Sequence, residues 1–146
     1  MKDNFKISGQ VKLVLSGPDG SVKEEQTFKN LVVTTGLGLA AQALGNGTIT
    51  VVSHVAVGTD STAPSAANTA LGAEIARTAL ASTDVTGTVV TYAGTIPAGT
   101  GTGALTEAGL LNAAVAGVML SRVTFAVINK GAGDTLGIVW TITLGV

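Results

Sequence analysis

The residues of this chain that could act as acid, base, nucleophile or metal ligand are few and far apart. His54 is the only histidine and there is no cysteine. That removes a His-x₃-His metal pair, a second imidazole for a catalytic relay, thiolate chemistry, disulfides and sulfur-ligated zinc. His54 reads as a strand histidine with a structural hydrogen bond. Glu74, Asp84, Glu107 and Asp134 fall in separate turns and strands, and no i, i+3 or i, i+4 carboxylate spacing forces two of them onto one helix face for general acid–base work. Serine and threonine abound, but no Gly-x-Ser-x-Gly elbow presents one as a nucleophile.

Glycine-rich phrases suggest phosphate or nucleotide binding and fail on context. Gly36-Leu-Gly-Leu-Ala-Ala41 follows the apolar run Asn30–Val33 and opens a helical spacing, with Asp60 a little over twenty residues later. A dinucleotide fingerprint of this form requires a βαβ unit, and no further strand–helix alternation follows. The expected role is a glycine-eased turn from strand to helix. Gly99-Thr-Gly-Thr-Gly103 lacks the lysine and helix start of a P-loop, and Asn46-Gly47-Thr48, though a glycosylation sequon, reads as a turn in a chain with no secretion signal. No catalytic, cofactor or metal residue is therefore assigned.

Four charges remain conspicuous. Glu74, Arg77, Glu107 and Arg122 sit among apolar neighbours in a chain that otherwise avoids charge. An isolated buried charge is costly, so these residues are expected to form structural ion pairs, in the core or at a subunit interface, rather than a catalytic dyad.

The elements that would hold these residues are strands. Nine of the seventeen charges lie in the first thirty residues, where Ile7, Val11, Leu13 and Leu15 alternate with polar residues as in a half-buried strand. Gly17-Pro18-Asp19-Gly20 turns the chain into a second extended run, Val22–Val33. Residues 1–33 thus form a hairpin whose charged face suits a solvated edge, and it is a candidate projecting hairpin or docking arm. Leu37, Ala40, Ala41 and Leu44 have helical spacing, with Thr34 or Thr35 as N-cap and Gly45 as stop. A strand is expected over Thr48–Val57, an exposed loop over Gly58–Ala70, mostly hairpin from Leu71 to Thr95, a loop over Pro97–Gly103, and strands near Leu105–Leu111 and Val118–Ile128. The last run alternates most regularly, with Leu136, Ile138, Trp140, Ile142 and Leu144 on one face, which makes Trp140 the expected core anchor. Short strands divided by Gly, Asn and Asp turns, with one short helix, predict an all-β single domain over residues 1–146, an antiparallel β-sandwich or jelly roll.

Composition speaks to partners. The chain is 46% hydrophobic, 3% aromatic and 12% charged, with net charge −1, a mean hydropathy of +0.52 and a pI near 5.7. No basic field draws nucleic acid, and the longest charge-free stretch, Asn30–Thr59, is too interrupted by polar residues and glycines for a membrane span. The amino terminus has no signal-peptide pattern, so synthesis in the cytoplasm is expected. With about half the usual charged fraction, apolar surface is left to be covered by a homo-oligomer, a trimer for example, or by docking.

Several phrases in order, the opening strand ending in Gly17-Pro-Asp-Gly20, Lys29-Asn-Leu-Val-Val-Thr-Thr-Gly36, His54-Val-Ala-Val-Gly-Thr59, Leu71-Gly-Ala-Glu-Ile-Ala-Arg77, Leu105-Thr-Glu-Ala-Gly-Leu110, Met119-Leu-Ser-Arg-Val-Thr-Phe125 and Lys130 through Trp140, span nearly the whole chain. Together they resemble small structural proteins of tailed-bacteriophage virions, of the decoration or cement and the tail or fibre types. The resemblance implies a non-enzymatic virion component with itself and the major capsid protein or tail proteins as partners. The absence of a shaft repeat or separate receptor-binding tip points to a capsid decoration protein first, a tail adaptor or fibre base second. A small glycan-binding sandwich is a further reading, disfavoured by Tyr92 and Trp140 being the only Tyr and Trp.

Overall fold

The computed structural model describes residues 5–145. The chain runs β1 (Lys6–Ser16), β2 (Val22–Val32), α1 (Thr34–Gly45), β3 (His54–Gly58), β4 (Glu74–Ala79), β5 (Ser82–Thr86), β6 (Val89–Ile96), β7 (Gly103–Leu111), β8 (Met119–Lys130) and β9 (Thr135–Gly145). All strand pairings are antiparallel, in the order β4-β3-β7-β8-β2-β1-β9-β6-β5.

This is an all-β domain with one short helix, but it is not the expected sandwich or jelly roll. A single nine-stranded sheet curls into a half-barrel. The seam decides it. β2 and β8 pair only at Leu31↔Arg122 and Val32↔Ser121, so two halves that would be separate layers in a sandwich are one continuous sheet, hinged where those strands diverge. Beyond the hinge, side chains replace the ladder: Phe28 and Phe125 stack at 5.3 Å between ring centroids, and the Gln26 amide donates to the Ala126 carbonyl at 3.3 Å. One inward and one outward face per strand serve either architecture, which is why alternation alone does not distinguish them.

The first hairpin lies within the sheet order, although β2 has ladder partners on the β8 side only at Leu31 and Val32. β1 lies between β2 and β9, paired with β9 from Lys6↔Gly145 to Ser16↔Thr135, and the hairpin is central in the sheet. Residues 1–4 of the expected arm lie outside the described residues. The turn forms by the expected chemistry: Gly20 has φ +82°, and the Asp19 carboxylate accepts the Ser21 N–H at 3.0 Å and the Ser21 hydroxyl at 2.7 Å.

The inner face carries the main core: Val11, Leu13 and Leu15 of β1, Leu136, Ile138, Trp140 and Ile142 of β9, and Val55, Val57, Leu105, Leu110, Val123 and Ile128 from the other half. Trp140 is 0% exposed, between Val11 on one neighbouring strand and Tyr92 on the other. Burial of a side chain this size is a leading apolar contribution to the fold. β7 is buried from Leu105 to Leu111 without a break, because its outer face is covered too. The segment after β3 folds back over it, and Leu71 joins Val33, Ala56, Leu111 and Met119 in a second, smaller cluster.

Two elements differ from expectation. The helix buries Gly36 and Leu39, whereas Leu37 and Leu44 of the expected apolar face are 47% and 86% exposed. Its N-cap is Val33, which has no capping side chain, and the Thr35 hydroxyl donates instead to the Met119 carbonyl at 2.8 Å. Gly36 is dictated by packing: a Cβ there would collide with the Leu120 carbonyl of β8. The expected strand Thr48–Val57 begins only at His54. Residues 48–53 cross the open end of the half-barrel instead, tied down by Ser53 N–H to Leu111 O and by Asn112 Nδ2 to Thr50 O at 3.1 Å.

Candidate functional site

The charged residues singled out in the sequence lie on the half formed by β4, β3, β7 and β8. Glu107 follows a register shift in β7 that turns its side chain to the outer face, where it is 0% exposed beside Arg122, 2% exposed. Glu107 Oε2 accepts Arg122 Nε at 3.0 Å and lies 2.9 Å from Nη2. The remaining capacity of the carboxylate goes to loop backbone: Gly72 N–H at 3.0 Å, Ala73 N–H at 2.7 Å and Asp60 N–H at 3.3 Å. Arg122 reaches onward through Nη1 to Thr62 O and Asn68 Oδ1, both at 3.1 Å, and through Nη2 to Asp60 Oδ2 at 3.2 Å. The pair is thereby a clamp that holds the long 59–73 segment on the sheet. Glycine is required at Gly58 and Gly72, where a Cβ would meet the Ala73 carbonyl and the Asp60 carboxylate respectively.

Glu74 and Arg77 form a second, separate pair. Arg77 Nε and Nη2 donate to the two oxygens of Glu74 at 2.8 and 2.7 Å, a fork that matches the carboxylate plane. Arg77 Nη1 then donates to Ala113 O at 2.9 Å and Ala116 O at 2.8 Å, which fixes the β7–β8 turn, where Ala116 has φ +53°.

A third site escaped sequence reasoning. Lys130 is 2% exposed, and its ammonium donates to Pro97 O at 2.9 Å and Thr100 O at 2.8 Å, which pins the glycine–threonine loop. Burial pushes the Lys130 ammonium below its ordinary pKa, partly opposed by the nearby Asp134 carboxylate. Asp134 is held below the usual carboxylate range first by the hydrogen bond from Lys23, then by the Gly131 N–H, with the charges of Lys23 and Lys130 adding to it. Lys23 Nζ lies 3.0 and 3.1 Å from its two oxygens. The signal for Lys130 was a lone cation between Ile128 and Leu136, masked by the turn-like composition of residues 129–134. Asp60, which the sequence offered only as the acidic residue downstream of the glycine-rich phrase, is another such residue. Its pKa is lowered chiefly by the Thr62 N–H and hydroxyl and less by Arg122, and Asp60-Ser-Thr62 is an Asx-turn sequence.

One rule unites the three cations. Arg122, Arg77 and Lys130 each project from a strand and donate to at least one backbone carbonyl of a different rim loop, the two arginines alongside their carboxylate partners. Such bonds immobilise loops. His54 Nδ1 is 2.8 Å from the hydroxyl of its neighbour Ser53, and no carboxylate bonds that imidazole among the described residues. No group of three or more His, Asp or Glu is set to hold a metal among the described residues, and no described helix is long and apolar enough to cross a membrane. The class thus defined is an all-β half-barrel with charge-clamped loops. No family model, curated protein or solved structure matches the chain.

Proposed function

We propose that this chain is a non-enzymatic structural subunit of a tailed-phage virion, most simply a decoration protein that binds the capsid shell and copies of itself. The observation that carries this reading is how the protein distributes polarity. Its interior cations clamp loops rather than converge on a site, while large apolar side chains including Val22, Leu44, Val51, Val85 and Val115 are at least 60% exposed. Rigid loops beside scattered apolar surface suit an interface, since preorganised loops lose little entropy on docking. A standard contact of about 800 Å² per partner would take about a tenth of the 7418 Å² surface. The order of sequence phrases resembling virion structural proteins supports the same reading.

The experiment is a copy-number measurement in purified particles by quantitative mass spectrometry. Decoration requires hundreds of copies, in proportion to the major capsid protein. A few copies confined to the tail would replace it with a tail adaptor or fibre base, and absence from particles would end the virion reading.

A further inference from the structure

The crossing of residues 48–53 over the open end of the half-barrel leaves a cavity of about 210 Å³ beneath it. Leu39 and Ala43 of α1 form one wall, Ile49 to Val52 form the arch, and Ile142 and Leu144 of β9 belong to the floor. Of the lining residues, only Thr50 and Tyr92 have polar side chains. The cavity is an inlet of the main core, because Leu39, Val52, Leu120 and Ile142 belong to both.

Size and lining specify an occupant. An enclosed apolar cavity of about 150 Å³ admits benzene, so this one, which opens to solvent on one side, has room for a single ring with a short substituent or a short alkyl chain. Charged and multiply polar molecules are excluded, since nothing in the walls would replace their hydration. Tyr92 is the one aromatic hydroxyl in the chain, and burial raises its pKa, so it stays a neutral donor across the physiological range. The mouths of β-barrels commonly bind ligands of this kind.

We propose that the open end of the half-barrel is a binding site for a small uncharged molecule with an apolar body and one hydrogen-bonding group, anchored at the Tyr92 hydroxyl. This stands on the cavity alone and holds whether or not the chain belongs to a virion.

The test is titration of methyl-labelled full-length protein with benzyl alcohol and with toluene, which differ by the hydroxyl. Saturable shifts at Leu39, Ile142 and Leu144 are expected with both. Ala43→Phe, which fills the mouth, should abolish them while the methyls of Leu13 and Leu105 and the melting temperature stay unchanged. If that variant is unstable, Ala40→Leu serves the same purpose. Tyr92→Phe should weaken benzyl alcohol about three- to tenfold, the scale of one neutral hydrogen bond, and leave toluene as it was. Absence of saturable shifts, shifts that persist with the mouth filled, or equal effects of Tyr92→Phe on the two probes would each overturn the proposal. Shifts at the same methyls that follow protein concentration without probe would also overturn it, by identifying a second copy as the occupant.

Discussion

Glu107 Oε2 lies 2.9 Å from Arg122 Nη2 with both side chains almost wholly out of water, and the two residues come from neighbouring strands, where Arg122 faces Gly109 and Glu107 faces Thr124. Removing Arg122 leaves Glu107 as an uncompensated buried charge, and removing Glu107 leaves Arg122 only the longer, part-exposed contact to Asp60 Oδ2 at 3.2 Å. Glu107→Gln and Arg122→Met should each cost about 3–5 kcal/mol, and the double variant should cost less than the sum. Urea denaturation of the four proteins gives the cycle, and strictly additive losses would count against coupling.

The glycines of the helix make an internal control. Gly36→Ala forces a Cβ into the Leu120 carbonyl, whereas at Gly38 a Cβ meets nothing within 4 Å. Gly38→Ala should therefore stabilise by about 0.5–1 kcal/mol through helix propensity. Gly36→Ala should destabilise by more than that and shift α1 on β8. Opposite signs in thermal melts are the expected result, and stabilisation by both would refute the close approach.

Acid should loosen the loops before it melts the core. Asp60 and Asp134 have folded pKa values below the ordinary 3.8, so the unfolded chain binds protons more readily. Their contribution is present above the unfolded pKa and is lost as pH falls through the folded values. Stability should be flat near neutrality, decline from about pH 5 and fall steeply below the unfolded value. Asp134→Asn should flatten part of that decline, and an unchanged acid limb in this variant would contradict the assignment.

Lys130 works in the opposite sense. Its folded pKa is below the ordinary 10.5, so stability should rise with pH between the folded value and 10.5, where the unfolded chain holds more protons. Lys130→Met should destabilise by about 1–3 kcal/mol by removing the ammonium from Thr100 O and leaving Pro97 O with the Thr100 N–H alone. Hydrogen exchange should locate the effect at Gly99 and Thr100, whose N–H groups bond Ala132 O at 2.7 Å and Pro97 O at 3.2 Å.

Local structure was legible wherever a residue's neighbours in sequence determine its conformation. The Gly17–Gly20 turn, the Leu136–Leu144 alternation that buries Trp140, the single helix and the all-β class follow from φ preferences and period-two patterning, which act over a few residues. The apolar settings of Glu74, Arg77, Glu107 and Arg122 likewise marked them as charges in need of partners.

Only the tertiary structure decided what those elements do to one another. That Glu107 pairs with Arg122 and Glu74 with Arg77 depends on strand register, and so does the half-barrel, which hangs on two residue pairs between β2 and β8. The helix buries Leu39 rather than Leu37 because Gly36 must abut Leu120. Residues 48–53 bridge the barrel mouth rather than pair because Ser53 and Thr50 are held by Leu111 and Asn112. Each is a contact between residues distant in sequence. Local propensity cannot encode such contacts, since their energy appears only when the whole sheet has closed around the core.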